Sequence, residues 1–224
     1  MLIVTFAVPH ESRAFRRTEA ARSVRIIHTG IGEGSAEVIL REAIAGKRPD
    51  AVVSCGFAGA LDPAAQIGDL VSDPVVSNAE LLAEMPRSVR QGLILTVSSP
   101  LDSPTAKRAL HQSSGALAVD METRAMVTVC NEHGLPLLVL RAISDGASDP
   151  VPVPFPIAWS MKRQRPRPLA LCGWLLAHPG KIGQFGRFVR HTNHAARCLS
   201  AGLEQILPSL ALAAKALTTA RESR

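Results

Sequence analysis

The chain has 224 residues, 46% of them hydrophobic, which suits a soluble globular fold with a sizeable core. No apolar stretch approaches a membrane span, and the start MLIVTFAVPHES, with no basic leader and an apolar run ending at Pro9, reads as a first strand rather than a signal peptide. The net charge of +6 is uneven: residues 1–149 carry 14 Lys and Arg against 17 Asp and Glu, residues 150–224 carry 11 against 2, so the basicity belongs to the last third and argues against a nucleic-acid-binding core.

Up to about residue 145, strand and helix signals alternate. LIVTFA is followed by VRIIHT, a helix over about Gly34 to Gly46, then DAVVSC, DLVSDPVV, GLILTV and ALAV. A helix from about Met121 to His133, capped by Asp120, leads into the buried strand LLVLRAIS. The pattern predicts an α/β fold, a three-layer αβα sandwich around a mixed central β-sheet. DAVVSC and DLVSDPVV have no helix between them, so at least one antiparallel neighbour is required. From Gly146 to Pro168 the chain turns proline-rich and basic and reads as a long loop or lid. Helical signals run from 169 to 217, broken at Pro179 and Pro208. One domain over 1–224, with the loop 146–168 and the C-terminal helices 169–217 appended, is the expected organisation. Cys55, Cys130, Cys172 and Cys198 lie far apart in apolar segments, and are expected to be reduced core residues of a cytoplasmic protein with no disulfide or metal role.

Several residues ask for chemistry rather than packing. On the helix after Asp120, Glu122 falls on the stripe formed by Ala125, Met126, Val129 and Cys130, where an unpaired carboxylate costs several kcal/mol. Strand alternation puts Arg141, Ile143 and Asp145 on one side, with Asp145 at the carboxyl end, where open α/β sheets bind ligands. A structural pairing of Glu122 with Arg141, and a loop-capping Asp145, are the plainer alternatives. TGIGEGSAE opens a helix with Gly30, Gly32 and Gly34, glycines that allow an oxyanion to approach backbone N–H groups. A dinucleotide site would need GxGxxG and an acid after the next strand; this is GxGxG, and Asp50 precedes its strand. A ribosyl, phosphate or anion site remains, beside a plain turn. GFAGAL supplies Gly56 and Gly59 at another strand tip, where a close-packed turn is the plainer reading, and Glu11 stands in the first turn after the first strand.

The order AVPHE, TGIGEGSA, RPDAVVSCGFAGAL, IGDLV, ALAVDMETRA and LRAISDGA resembles the nucleoside phosphorylase and nucleosidase superfamily over residues 1 to 150, most closely its hydrolase branch of methylthioadenosine/adenosylhomocysteine nucleosidases and futalosine hydrolases. TVSSPLDSPTAK, KRQRPRPLAL and LLAHPGKIGQFGRFVRHTNHAARCL look like the hopanoid-associated nucleosidase/phosphorylase group, whose proposed substrate is adenosylhopane. The resemblance implies a phosphorylase/hydrolase-like fold and cleavage of the N-glycosidic bond of an adenine nucleoside with a bulky 5′ substituent. By the same resemblance Asp145 is the general acid, Ser144 orients it, and Glu11 activates water. Glu122 and Met121 would hold the ribose, with Gly30, Gly32, Gly34 and Gly59 as the anion or ribosyl loop and Arg141 in support.

Departures from the methylthioadenosine enzymes are Phe57 in place of a small polar residue, Pro100 and Leu101 where an aromatic meets the base, and a shorter segment before GLILTV. They suit a bulkier, more apolar substrate. No cofactor is expected, phosphate being a co-substrate only if the enzyme is a phosphorylase; a carboxylate at Glu11 would repel it. A non-catalytic nucleoside-binding protein is the third reading. A homodimer is expected, with no nucleic-acid partner. Lys162, Arg163, Arg165 and Arg167, next to the apolar residues Leu169, Leu171, Trp174, Leu175 and Leu176, also suggest peripheral contact with an anionic membrane.

Overall fold

β1 (Leu2–Phe6), β3 (Ala51–Ala60) and β8 (Leu137–Asp145) are apolar runs buried almost throughout, and they lie side by side at the centre of the sheet. The computed structural model describes residues 1–223. β2 (Arg25–His28) pairs parallel with β1, β1 with β3, and β3 with β8. β4 (Leu70–Ser72) then pairs antiparallel with β8, and β5 (Arg90–Gln91) parallel with β4. β3 outruns β1 and uses its last two residues to pair antiparallel with β7 (Ala118–Asp120), which carries β6 (Ile94–Thr96). The sheet is mixed; its antiparallel contacts are β4 with β8 and β3 with β7, not the consecutive DAVVSC and DLVSDPVV segments.

Two apolar layers cover it. On one face α2 (Glu33–Gly46) and α5 (Thr123–Glu132) bury Leu40, Ile44, Met126 and Val129 against Val52, Val139 and Ile143. On the other, α8 (Ile182–Glu222) buries Leu199, Leu203, Leu207 and Leu210 against Val4, Val53 and Leu140. Short helices α1 (Pro9–Ser12), α3 (Ala79–Ala83) and α4 (Pro104–Ser114) fill the connections. Ser103 caps α4 by accepting from Ala106 N, and Gly115 ends it in the left-handed conformation.

Four local expectations are corrected. Pro208 does not end the helix: it faces solvent inside α8 while Ile206, Leu207 and Leu210 anchor the same turns in the core, so water can satisfy the carbonyl that loses its donor. The stretch 146–168 is not only loop, since it holds α6 (Phe155–Ala158) and a hairpin of β9 (Trp159–Ser160) with β10 (Arg165–Pro166). Residues 56–60 are strand rather than turn. Cys55 and Cys130 are buried, but Cys198 is half-buried and Cys172 is exposed on α7 (Pro168–Ala177). Among the described residues no helix is long and apolar enough to cross a membrane.

Candidate active site

Because β3 extends beyond the end of β1, the backbone N–H of Phe57 has no strand partner on that side. Glu11, delivered by α1, takes it at 2.9 Å with one carboxylate oxygen and the N–H of Val8 at 3.0 Å with the other. Burial raises its pKa, and the two backbone donors pull it partly back. Room for this carboxylate comes from Gly56, where a Cβ would stand 3.1 Å from Glu11 Oε1.

Asp145 is placed by a different irregularity. β8 pairs with β3 in register up to Ile143 opposite Ala58, then skips Ser144, so that Asp145 stands opposite Gly59. The bulge breaks the strict alternation expected for this strand and lets Ser144 and Asp145 line the same cavity. Ser144 Oγ donates to Asp145 Oδ1 at 2.8 Å. A Cβ at Gly59 would stand 3.0 Å from Asp145 Oδ2, so this glycine makes space for the acid and is not part of the Gly30 loop. On its other oxygen Asp145 meets the ammonium of Lys107, which reaches in from α4 and is 1% exposed. Lys107 donates further to the carbonyls of Gly146 at 2.8 Å and Asp149 at 3.1 Å, which uses all three of its N–H groups.

Glu122 is not on the buried stripe of α5. The helix starts at Thr123, and Glu122 stands at the cap position with a non-helical backbone. It turns instead to the glycine loop, accepting from Gly32 N at 2.7 Å. Burial, and then the neighbouring Asp120 carboxylate, push its pKa up to about 8. The loop is not an open anion nest. Gly30 N is bonded to Ala7 O at 3.0 Å, Ile31 N to Gln164 Oε1 at 2.8 Å and Gly32 N to Glu122. Gly32 keeps φ +90°, which a side chain would strain, whereas Gly34 lies inside α2 with nothing near its Cβ position.

Arg141 also belongs elsewhere. It is 1% exposed and pairs with Asp120, not Glu122: its Nε donates to Asp120 Oδ2 at 2.9 Å, Nη1 to Ser54 O at 2.7 Å and Nη2 to Thr123 Oγ1 at 2.9 Å. Thus it orients the Asp120 carboxylate, knits β3, β7 and β8 together beneath the site and does not line the cavity.

Glu11, Glu122, Ser144 and Asp145 therefore converge on one cavity of about 240 Å³. Met121, Phe57, Gly59, Pro100 and Leu101 also line it; Gly30, Gly32, Gly34 and Arg141 do not. Asp120 and Lys107 add charge to its wall, and the rest is apolar, with Ile31, Val97, Val151, Phe155 and Phe188 contributing. A smaller cavity of about 150 Å³ adjoins it at Asp145 and Phe188. Among the described residues lining the larger cavity the one cation is Lys107. Sequence reasoning missed this lysine. Its only readable sign is that it shares a helical stripe with Leu110 and His111, where a charge is unexpected.

The model of the phosphorylase superfamily matches residues 4–72 and 73–172. The chain belongs to the phosphorylase superfamily. Among its relatives in that superfamily is a 5′-methylthioadenosine/S-adenosylhomocysteine nucleosidase of Staphylococcus aureus (strain JH9), 28% identical over 160 residues that cover 57% of this chain and 70% of the relative. The solved futalosine hydrolase of Helicobacter pylori strain 26695 superposes with a TM-score of 0.66 at 15% identity, covering 93% of this chain and 97% of its own. A 5′-methylthioadenosine/S-adenosylhomocysteine nucleosidase from Neisseria meningitidis, in complex with methylthio-immucillin-A, gives 0.68 at 18% identity, covering 93% and 98%. At such identities the superpositions establish the shared superfamily fold, an αβα sandwich on a mixed sheet.

Proposed function

We propose that this protein hydrolyses the N-glycosidic bond of an adenine nucleoside carrying a bulky, apolar 5′ substituent. The observation that supports it most is that Glu11 and Asp145, each set against a glycine of β3, face one apolar-walled cavity. Breaking such a bond passes through an oxocarbenium-like sugar and needs protonation of the leaving base together with a nucleophile for the sugar carbon. In this reading Asp145, oriented by Ser144 and held by Lys107, is the general acid that gives a proton to a ring nitrogen of the base. Glu11, held by two N–H groups, takes a proton from water as the water attacks. Glu122 and Met121 hold the ribose, and Phe57, Pro100 and Leu101 flank the base.

Water is favoured over phosphate on two grounds. The amides of Gly30, Ile31 and Gly32 are already bonded, and the cavity's lysine is matched by Asp145. A phosphate would meet Glu11 and Glu122 with no free cation to balance it. The reaction as proposed requires no cofactor. The names carried by the relatives point to methylthioadenosine, adenosylhomocysteine or futalosine as substrates; the apolar lining at Leu101, Val151, Phe155 and Phe188 favours a larger hydrophobic 5′ group, of which adenosylhopane is the case suggested by the sequence resemblance. Adenine release over a panel of 5′-substituted adenosines, with and without phosphate, tests the reading. Adenine and a free sugar are expected in phosphate-free buffer; a strict phosphate requirement with a sugar 1-phosphate product overturns it.

A further inference from the structure

α7 reads PLALCGWLLA, apolar around its whole circumference, and none of its residues is buried. Leu169 is 89% exposed and Leu176 is 81% exposed. Met161, Ile182 and Val189 extend the exposed apolar surface on either side in the chain. Soluble monomers rarely leave such a contiguous patch bare. The flanks are equally distinctive. Arg163, Arg165 and Arg167 precede α7 and Arg187 and Arg190 follow it, all exposed, and no acidic residue occurs between Asp149 and Glu204. Among the described residues, no carboxylate pairs with any of these five arginines.

We infer that α7 and its basic flanks form a docking surface for an anionic lipid bilayer. At ten residues the helix is about 15 Å long, half the hydrocarbon thickness, so it fits lying in the interface and cannot span it. Trp174, stacked on His178 with ring centroids 4.3 Å apart, is the residue type that membrane interfaces favour. A second copy of the chain is a poorer occupant, because a two-fold contact over α7 would bring the same arginines against themselves. An apolar helix uniform around its axis also suits a fluid, non-directional solvent better than one complementary face. The surface is tied to the cavity. Gln164, in the β9–β10 hairpin ahead of α7, clips the glycine loop by accepting from Ile31 N at 2.8 Å and donating to Ile31 O at 3.0 Å. Phe155 and Phe188, on either side of α7 in the chain, line the cavity itself. A docked α7 therefore holds the cavity's apolar cover at the lipid surface, where a nucleoside with a lipid tail is delivered.

Cosedimentation of the full chain with phosphatidylcholine vesicles, with and without phosphatidylglycerol, tests this independently of turnover. Pelleting with the phosphatidylglycerol vesicles at low salt is expected, with loss at high salt. Changing Arg163, Arg165 and Arg167 to Ser should weaken partitioning by about fivefold per charge. The pair Leu169→Glu and Leu176→Glu should abolish it while circular dichroism stays that of the wild type. Equal recovery in the supernatant with both vesicle types at low salt overturns the proposal. If sedimentation analysis also finds a dimer that the two leucine substitutions dissociate, the face is a contact between copies. Either result leaves the hydrolase reading standing, since adenine release from soluble nucleosides is measured separately.

Discussion

The Lys107 ammonium and the Asp145 carboxylate form an ion pair in which the lysine is 1% exposed and the acid side chain 14%. Such a pair contributes little net stability as a whole, but removing one member leaves the other charge without a partner, a loss of about 3–5 kcal/mol when fully buried. Lys107→Met should therefore lower both the melting temperature and kcat. Adding Asp145→Asn should restore most of the melting temperature, because no unmatched carboxylate remains, and none of the turnover. Thermal melts and steady-state kinetics of both singles and the double variant check this; independent, additive effects would show that the two residues do not act as a unit.

Asp145→Asn alone should bind nucleoside normally and lose about 100-fold or more in kcat, the usual share of general acid catalysis. Isothermal titration beside kinetics separates the two effects. Wild-type turnover in the mass-verified variant removes Asp145 from the mechanism.

Glu11→Gln keeps the size of the side chain and can still accept from Phe57 N with its amide oxygen. Loss of adenine release in phosphate-free buffer, with no rescue by added phosphate, is the expected outcome. Rescue by phosphate would mean that the carboxylate serves only to exclude it.

Gly56→Ala places a methyl group 3.1 Å from Glu11 Oε1. Glu11 must shift by a few tenths of an ångström, so kcat should fall by about tenfold or more, as small misplacements of reacting groups do. Gly34→Ala, where nothing lies within 4 Å of the new atom, is the matched control and should keep full activity.

Glu122 yields a pH dependence of stability. Its pKa rises on folding from the ordinary 4.5 to about 8, so between those values the folded state binds more protons than the unfolded one. Stability from this group is accordingly present below about pH 4.5 and is lost as pH rises through 8. Glu122→Gln should flatten that decline, seen as a melting temperature that changes less between pH 5 and pH 8 than in the wild type. An unchanged slope would refute the assignment.

Local patterns in the chain were enough to reveal the αβα class, because the runs LIVTF, AVVSC and LLVLRAIS are long, apolar and set apart by a helix of 3.6-residue period. They also marked Glu11, Glu122 and Asp145, since a carboxylate at a strand tip or beside an apolar helix is chemically conspicuous wherever the rest of the chain goes. Which groups those acids meet is not a local property. Glu122 bonds a loop 90 residues away, Lys107 meets Asp145 across 38, and Arg141 prefers Asp120 to Glu122 by virtue of strand order. The same holds for Gly56 and Gly59. In sequence they look like a turn; only the reach of β3 past β1, and the bulge in its pairing with β8, make them the gaps into which two carboxylates fit. Pro208 and the bare surface of α7 follow the same logic, because whether a helix survives a proline, or finds a core to cover it, depends on what the tertiary fold sets beside it. Periodicity and residue type are written into neighbouring residues, whereas pairing, register and solvent access arise only when distant segments pack.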